Sequence, residues 1–246
     1  LPRGRRWFLC FALAAAAGCT REVRIPPAAP ATGKRRPPQR RQIQPADFAK
    51  SDIDSAAEIH LQESLASTRL LAEKLYRRNP REWRRGGYAS AAAALERAFD
   101  PKFAWTLPEL GGARGTDALQ LAFQPEFPGD RVFAFGVGMG SMIMQAYGNQ
   151  TEFFLLDQID PQKLYNAARN VEVAAWKLAT ARDARGSLLL LSNEIAADGA
   201  QNLSYEREIG KLIAYQDSLA LVIAERTNRN IRFVVQGGVL KVFLPL

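Results

Sequence analysis

Residues 47–246 read as an all-α fold, a single irregular multi-helix domain behind a leader and a linker. Three observations predict it. Apolar residues recur at the helical period through most of this stretch. Asn-Pro, Asp-Pro and paired-glycine steps interrupt those stripes where helices start or stop. Strand patterning is nearly absent: Thr151–Leu156 is the one candidate for an isolated strand, with a plain connector as its other reading.

The first eighteen residues lie outside that domain. Leu1-Pro2-Arg3-Gly4-Arg5-Arg6 is basic, and an apolar run from Trp7 to Ala17 follows before Gly18-Cys19. A basic start, a short apolar run and small residues make the layout of an export signal. Some eleven apolar residues fall well short of the roughly 20 that a permanent membrane helix needs. The junction Ala16-Ala17-Gly18-Cys19 resembles the bacterial lipobox, with Ala16 where that motif most often has leucine. The resemblance implies cleavage before Cys19 and lipidation of its thiol, and Thr20 in place of aspartate implies sorting to the outer membrane. Residues 1–18 are thus expected to be a lipoprotein signal peptide.

Residues 19–46 follow as a lipid-anchored, disordered linker. They carry Pro26-Pro27, Pro30, Pro37-Pro38 and Pro45 among arginine, alanine and glutamine, with no apolar period to bury. Proline-rich chain extends by about 3.1 Å per residue, enough to hold a domain several tens of ångströms from a bilayer. Arg35-Arg36 and Arg40-Arg41 either touch anionic headgroups or keep the spacer soluble.

Within the domain, Ile53, Ala57, Leu61, Ser64, Leu65, Thr68, Leu71 and Leu75 share one face of a helix over Asp52–Arg78. Asn79-Pro80 ends it, because proline disfavours helical backbone in the residue before it. Ser90–Phe99 is alanine-rich and stops at Asp100-Pro101; Thr116–Phe123 is a short helix closed by Pro125–Gly129. Arg131–Tyr147 is the most apolar segment, terminated by Gly148-Asn149. Asp160-Pro161 caps and opens a helix to about Asp183. Ser204, with Glu206 and Glu208, starts the last one, whose period continues through Thr227, Ile231 and Val234, so it is expected to run to about Val235. A hairpin across Gly237-Gly238 is the competing reading.

Composition narrows the function classes. The net charge of +8 suggests nucleic acid until it is located. Residues 1–18 hold three arginines and no acid, and residues 19–46 hold seven cations against Glu22. That leaves 23 basic and 24 acidic residues for 47–246, a charge of −1, without the basic footprint of a nucleic-acid-binding domain. No nucleic-acid partner is expected. Both cysteines, Cys10 and Cys19, precede the domain, which therefore has no thiol nucleophile or thiolate metal ligand. No metal and no cofactor is expected.

Four constellations hold side chains suited to chemistry. Gly136-Val137-Gly138-Met139-Gly140 falls short of a dinucleotide fingerprint because Ser141 stands at its third glycine position. Gly136 and Gly140, one turn apart, are expected to admit a neighbouring helix instead. His60 has Asp54, Glu58 and Glu63 near it but no second imidazole, and reads as a structural histidine. Arg77, Arg78, Arg81, Arg84 and Arg85 surround Asn79-Pro80 and Trp83; they form a patch for an anion or a partner's carboxylates, or a solvated helix end. Tyr165, Arg169, Glu172 and Trp176 share a helix face, on which Arg169 and Glu172 pair; laid against the glycine-rich helix, they would be a buried polar network, or else a ligand groove.

Leu75-Tyr76-Arg77-Arg78-Asn79-Pro80 and the stretch Phe153–Trp176 resemble a group of uncharacterised proteobacterial lipoproteins. The resemblance implies an envelope location and no activity. The chain is therefore expected to be an outer-membrane-anchored lipoprotein facing the periplasm, a non-enzymatic scaffold or accessory subunit with an envelope protein as partner. The alternative is a periplasmic ligand-binding lipoprotein working with a transporter. A carboxylate hydrolase using Asp157 and Glu172 stands third.

Overall fold

The computed structural model describes residues 51–154, 159–193, 202–233 and 242–246. Seven α-helices account for most of them: α1 (Asp52–Arg78), α2 (Pro80–Arg85), α3 (Ala91–Ala98), α4 (Gly115–Ala122), α5 (Arg131–Ala146), α6 (Pro161–Thr180) and α7 (Ser204–Thr227). Two 3₁₀ turns, Pro101–Phe103 and Pro108–Leu110, join α3 to α4. Among the described residues there is no strand beyond a single bridge between Arg182 and Leu188.

Each start has a local cause. Ser51 and Asp54 form a capping box on α1, the serine hydroxyl accepting the Asp54 N–H and the carboxylate accepting the Ser51 N–H at 2.8 Å. Asp130 caps α5 through the Phe133 N–H, and Asp160 caps α6 with Pro161 at the first helical position. The predicted stripe of α1 is buried from Ala57 to Leu75.

Helix α5 is the axis of the domain. Every one of its residues except Gln145 is buried, the pattern of a helix enclosed on all sides. Helices α1, α2, α3, α4 and α6 pack around it, and α7 lies over α1 and α6. α7 runs antiparallel to α1: Arg226 reaches Ser51 at one end, while at the other Tyr205 donates its hydroxyl to the Lys74 carbonyl. No helix among the described residues is long and apolar enough to cross a membrane.

Three expectations differ from the structure. α7 stops at Thr227 rather than near Val235, because Asn228 takes a left-handed conformation (φ 54°) and the Arg229 N–H turns back to the Ala224 carbonyl. Residues 231–233 are not helical, and the alternative hairpin falls largely outside the described residues. The start of α7 at Ser204 is as expected, and the Ser204 N–H is accepted by the Asn202 side chain. Thr151–Phe154 forms a bend rather than a strand, with 155–156 outside the described residues. Finally, Gly136 and Gly140 are not where a helix comes close. A methyl on Gly140 would strike the Trp105 ring, which a loop inserts, and one on Gly136 would make only ordinary contact with Ala72. The close approach is at Gly138, where a Cβ would lie 2.6 Å from the Leu119 backbone nitrogen on α4.

Candidate functional site

The junction of α1 and α2 gathers the arginines singled out in the sequence. Asn79 sits at the break, 2% exposed. Its amide donates to the Leu75 and Leu191 carbonyls, each at 2.8 Å, and its oxygen accepts the Leu191 N–H at 2.8 Å. One carboxamide thereby clamps Leu191 backbone through both polar groups. Arg81 adds a bond to the Leu189 carbonyl at 3.2 Å.

The clamped loop has its own reason to turn. The Asp183 carboxylate accepts the N–H groups of Arg185 and Ser187, each at 2.9 Å, and Gly186 takes φ +80°. This local bonding competes with helix and ends α6 at Thr180, a turn short of the expected Asp183. Between loop and junction lies a cavity of about 340 Å³, with Arg78, Arg81 and Arg84 on one side and Ser187, Leu188 and Leu191 on the other. Arg77 and Arg85 do not line it: Arg77 pairs with Glu73 and Arg85 with Glu82. Three of the five predicted arginines converge.

The α6 face also forms, but against a different neighbour. Arg169 pairs with Glu172 at 3.1 Å and with Asp217 of α7 at 2.6 Å, and lies 5.0 Å from the Tyr165 ring centroid. The expected partner was α5, but the carboxylate that meets Arg169 is Asp217 on α7. Burial raises the Asp217 carboxyl above its ordinary range, opposed by the Arg169 charge. Tyr165 meets Phe233 edge to face, and Trp176 is 41% exposed on the outside. The arrangement is a strut between two helices. Asp157 lies outside the described residues.

His60 is half-buried, its ring centroid 5.2 Å from that of Tyr215 on α7, and burial lowers its pKa. Two of the three acids around it are engaged elsewhere: Asp54 caps α1, and Glu58 accepts the Phe153 N–H at 3.1 Å. Gly136–Gly140 lies inside helix α5, where it cannot cradle a phosphate. Among the described residues no group of three or more His, Cys, Asp or Glu side chains could hold a metal ion.

The densest buried polar cluster was missed. The Glu82 side chain is fully buried and accepts the Arg131 backbone N–H at 3.0 Å, with Arg81 and Arg85 each at 3.3 Å. The Arg131 guanidinium donates to four carbonyls, those of Ala122, Gln124, Pro125 and Phe127, closing the turn before α5. Beside it the Tyr76 hydroxyl donates to Asp130 at 2.7 Å. The signal was an arginine opening the most apolar segment, a charge that has to be met from somewhere.

Burial pushes Asp130 up to about 6, against the hydrogen bonds it accepts. An unfolded aspartate titrates near 3.9. Below about pH 4 both states hold the proton, and between 4 and 6 only the folded state does. Above 6 the folded chain must carry a buried charge, so this contribution to stability is present in acid and lost as pH rises through 6. Asp130→Asn should remove that loss: urea titrations across pH 4–7.5 are expected to show the variant gaining on the parent by on the order of 3 kcal/mol. Parallel pH profiles would exclude this account of Asp130.

Comparison of the chain with known protein families, known proteins and solved structures found no match.

Proposed function

We propose that this chain is a lipid-anchored bacterial envelope protein, held through Cys19 at the periplasmic face of the outer membrane. Its helical domain acts as a non-enzymatic scaffold or accessory subunit for an envelope protein partner. The observation that carries the reading is the succession of Arg3, Arg5 and Arg6, the apolar run Trp7–Ala17 and the lipobox-like Ala16-Ala17-Gly18-Cys19. One acyl chain anchors only marginally and two or more anchor stably, which the diacyl thioether of that resemblance would supply. The engagement of Arg169, Glu172, Asp217 and Glu82 in helix-to-helix struts supports a structural role for the domain.

Cys19→Ala should abolish palmitate labelling and move the protein out of the membrane fraction. Unchanged labelling and fractionation would remove the anchor from the account. The second reading, a ligand-binding lipoprotein working with a transporter, is favoured by one observation, the arginine-lined cavity at the α1–α2 junction.

A further inference from the structure

We propose that the cavity at the α1–α2 junction binds a phosphate monoester carrying an apolar chain. The charge is local. Residues 73–85 and 182–185 hold eight basic and three acidic side chains, whereas residues 47–246 as a whole are close to neutral. Arg78, Arg81 and Arg84 recur every three residues across the Asn79-Pro80 break and converge on one cavity. Among the described residues Arg84 has no carboxylate partner; its guanidinium lies 4.7 Å from the Trp83 ring centroid.

Three guanidinium groups lining one cavity match the three oxygens and double charge of a phosphate monoester better than the two oxygens and single charge of a carboxylate. The opposite wall is of another kind. Leu188 and Leu191 line it, and Leu191 is 45% exposed although its backbone is fixed at both polar groups by Asn79. A leucine held rigidly in water beside an arginine cluster is a seat for an apolar substituent. Because the clamp and the Arg81–Leu189 bond pin the loop to the helices, the two walls are preorganised and little ordering is lost on binding. A lipid headgroup and a soluble alkyl phosphate share this chemistry.

The inference rests on the ligand-binding reading and not on the anchor, so the two can fail separately. Calorimetric titration of the full chain in neutral detergent tests it, with octyl phosphate, dihexanoyl phosphatidic acid, inorganic phosphate and octanoate as probes. Saturable binding of one of the phosphate amphiphiles is expected, and the tighter of the two identifies the source as lipid or soluble. Arg81→Gln with Arg84→Gln should weaken it at least about tenfold, as expected for two lost charge-assisted contacts. Leu191→Ser should weaken it severalfold, while Cys19→Ala and the remote Arg114→Gln should leave it unchanged. Thermal melts matching the parent will show that the variants are folded. The proposal is overturned by absent saturation, by equal binding in the double arginine variant, or by inorganic phosphate or octanoate binding as tightly as the amphiphiles.

Discussion

Glu82→Ala should lower the unfolding free energy by about 3 kcal/mol, because a buried donor loses its acceptor and a buried cation loses an opposing charge. The side chain is wholly enclosed, and its loss has two consequences. The Arg131 backbone N–H, at the first position of α5, loses its acceptor in a place water does not reach. Arg131, a residue 4% exposed, keeps its carbonyl partners but loses an opposing charge. Burial lowers the pKa of its guanidinium and the Glu82 charge opposes the shift, so removing the carboxylate makes the buried cation costlier. Glu82→Gln keeps the shape and an acceptor for the N–H, and should cost less than the alanine. Chemical denaturation of the three proteins at pH 7 checks this; equal midpoints for parent and alanine variant would refute it.

The second large effect lies at Gly138. A Cβ there would stand 2.6 Å from the Leu119 backbone nitrogen and 3.0 Å from the Gly115 carbonyl, so the obstruction is main chain and cannot rotate away. Helix α4 is also tied to α5 by the Gly115 N–H, which donates to Ser141 Oγ at 2.7 Å. Gly138→Val must therefore pry the two helices apart, a loss of about 3 kcal/mol or more, at the upper end for overpacked cores. Gly210, on the exposed side of α7, is the internal control. Nothing lies within 4 Å of its missing Cβ, so Gly210→Ala should stabilise by roughly 0.5–1 kcal/mol. Opposite signs for two glycine replacements in two helices, read by thermal and urea melts, are the expected result.

What the sequence reveals of the fold is what local physics decides. The apolar stripe of α1, the Asp160 cap and the stop at Asn79-Pro80 all follow from residues within a turn of one another. The end of α7 was misplaced because Ile231 and Val234 happen to keep the helical period. The polar run Thr227–Asn230 carried the better signal, an asparagine able to adopt the left-handed cap. Glu82 was illegible for a different reason. In a six-residue helix between arginines it reads as a surface charge, and only Arg131, 49 positions away, makes it a buried one.

The site was legible to the same extent. The grouping of the five arginines about Asn79-Pro80 is legible, but which three line the cavity, and the opposite wall, are not. That wall depends on Asn79 clamping Leu191 across 112 positions. Two further clamps of this kind tie distant chain to α6: Gln162 on Arg232 and Asn170 on Leu244, each through both backbone polar groups. A side-chain amide matches a backbone amide donor for acceptor, so it can hold irregular chain where no strand is available. No pattern of apolar residues records such a contact.

The anchor is the claim on which compartment and role depend, and the mass of the amino-terminal peptide of protein taken from native membranes reads it directly. The account predicts a peptide beginning at Cys19 that carries a diacylglyceryl thioether. A peptide still bearing residues 1–18, with Cys19 a free thiol, would contradict it.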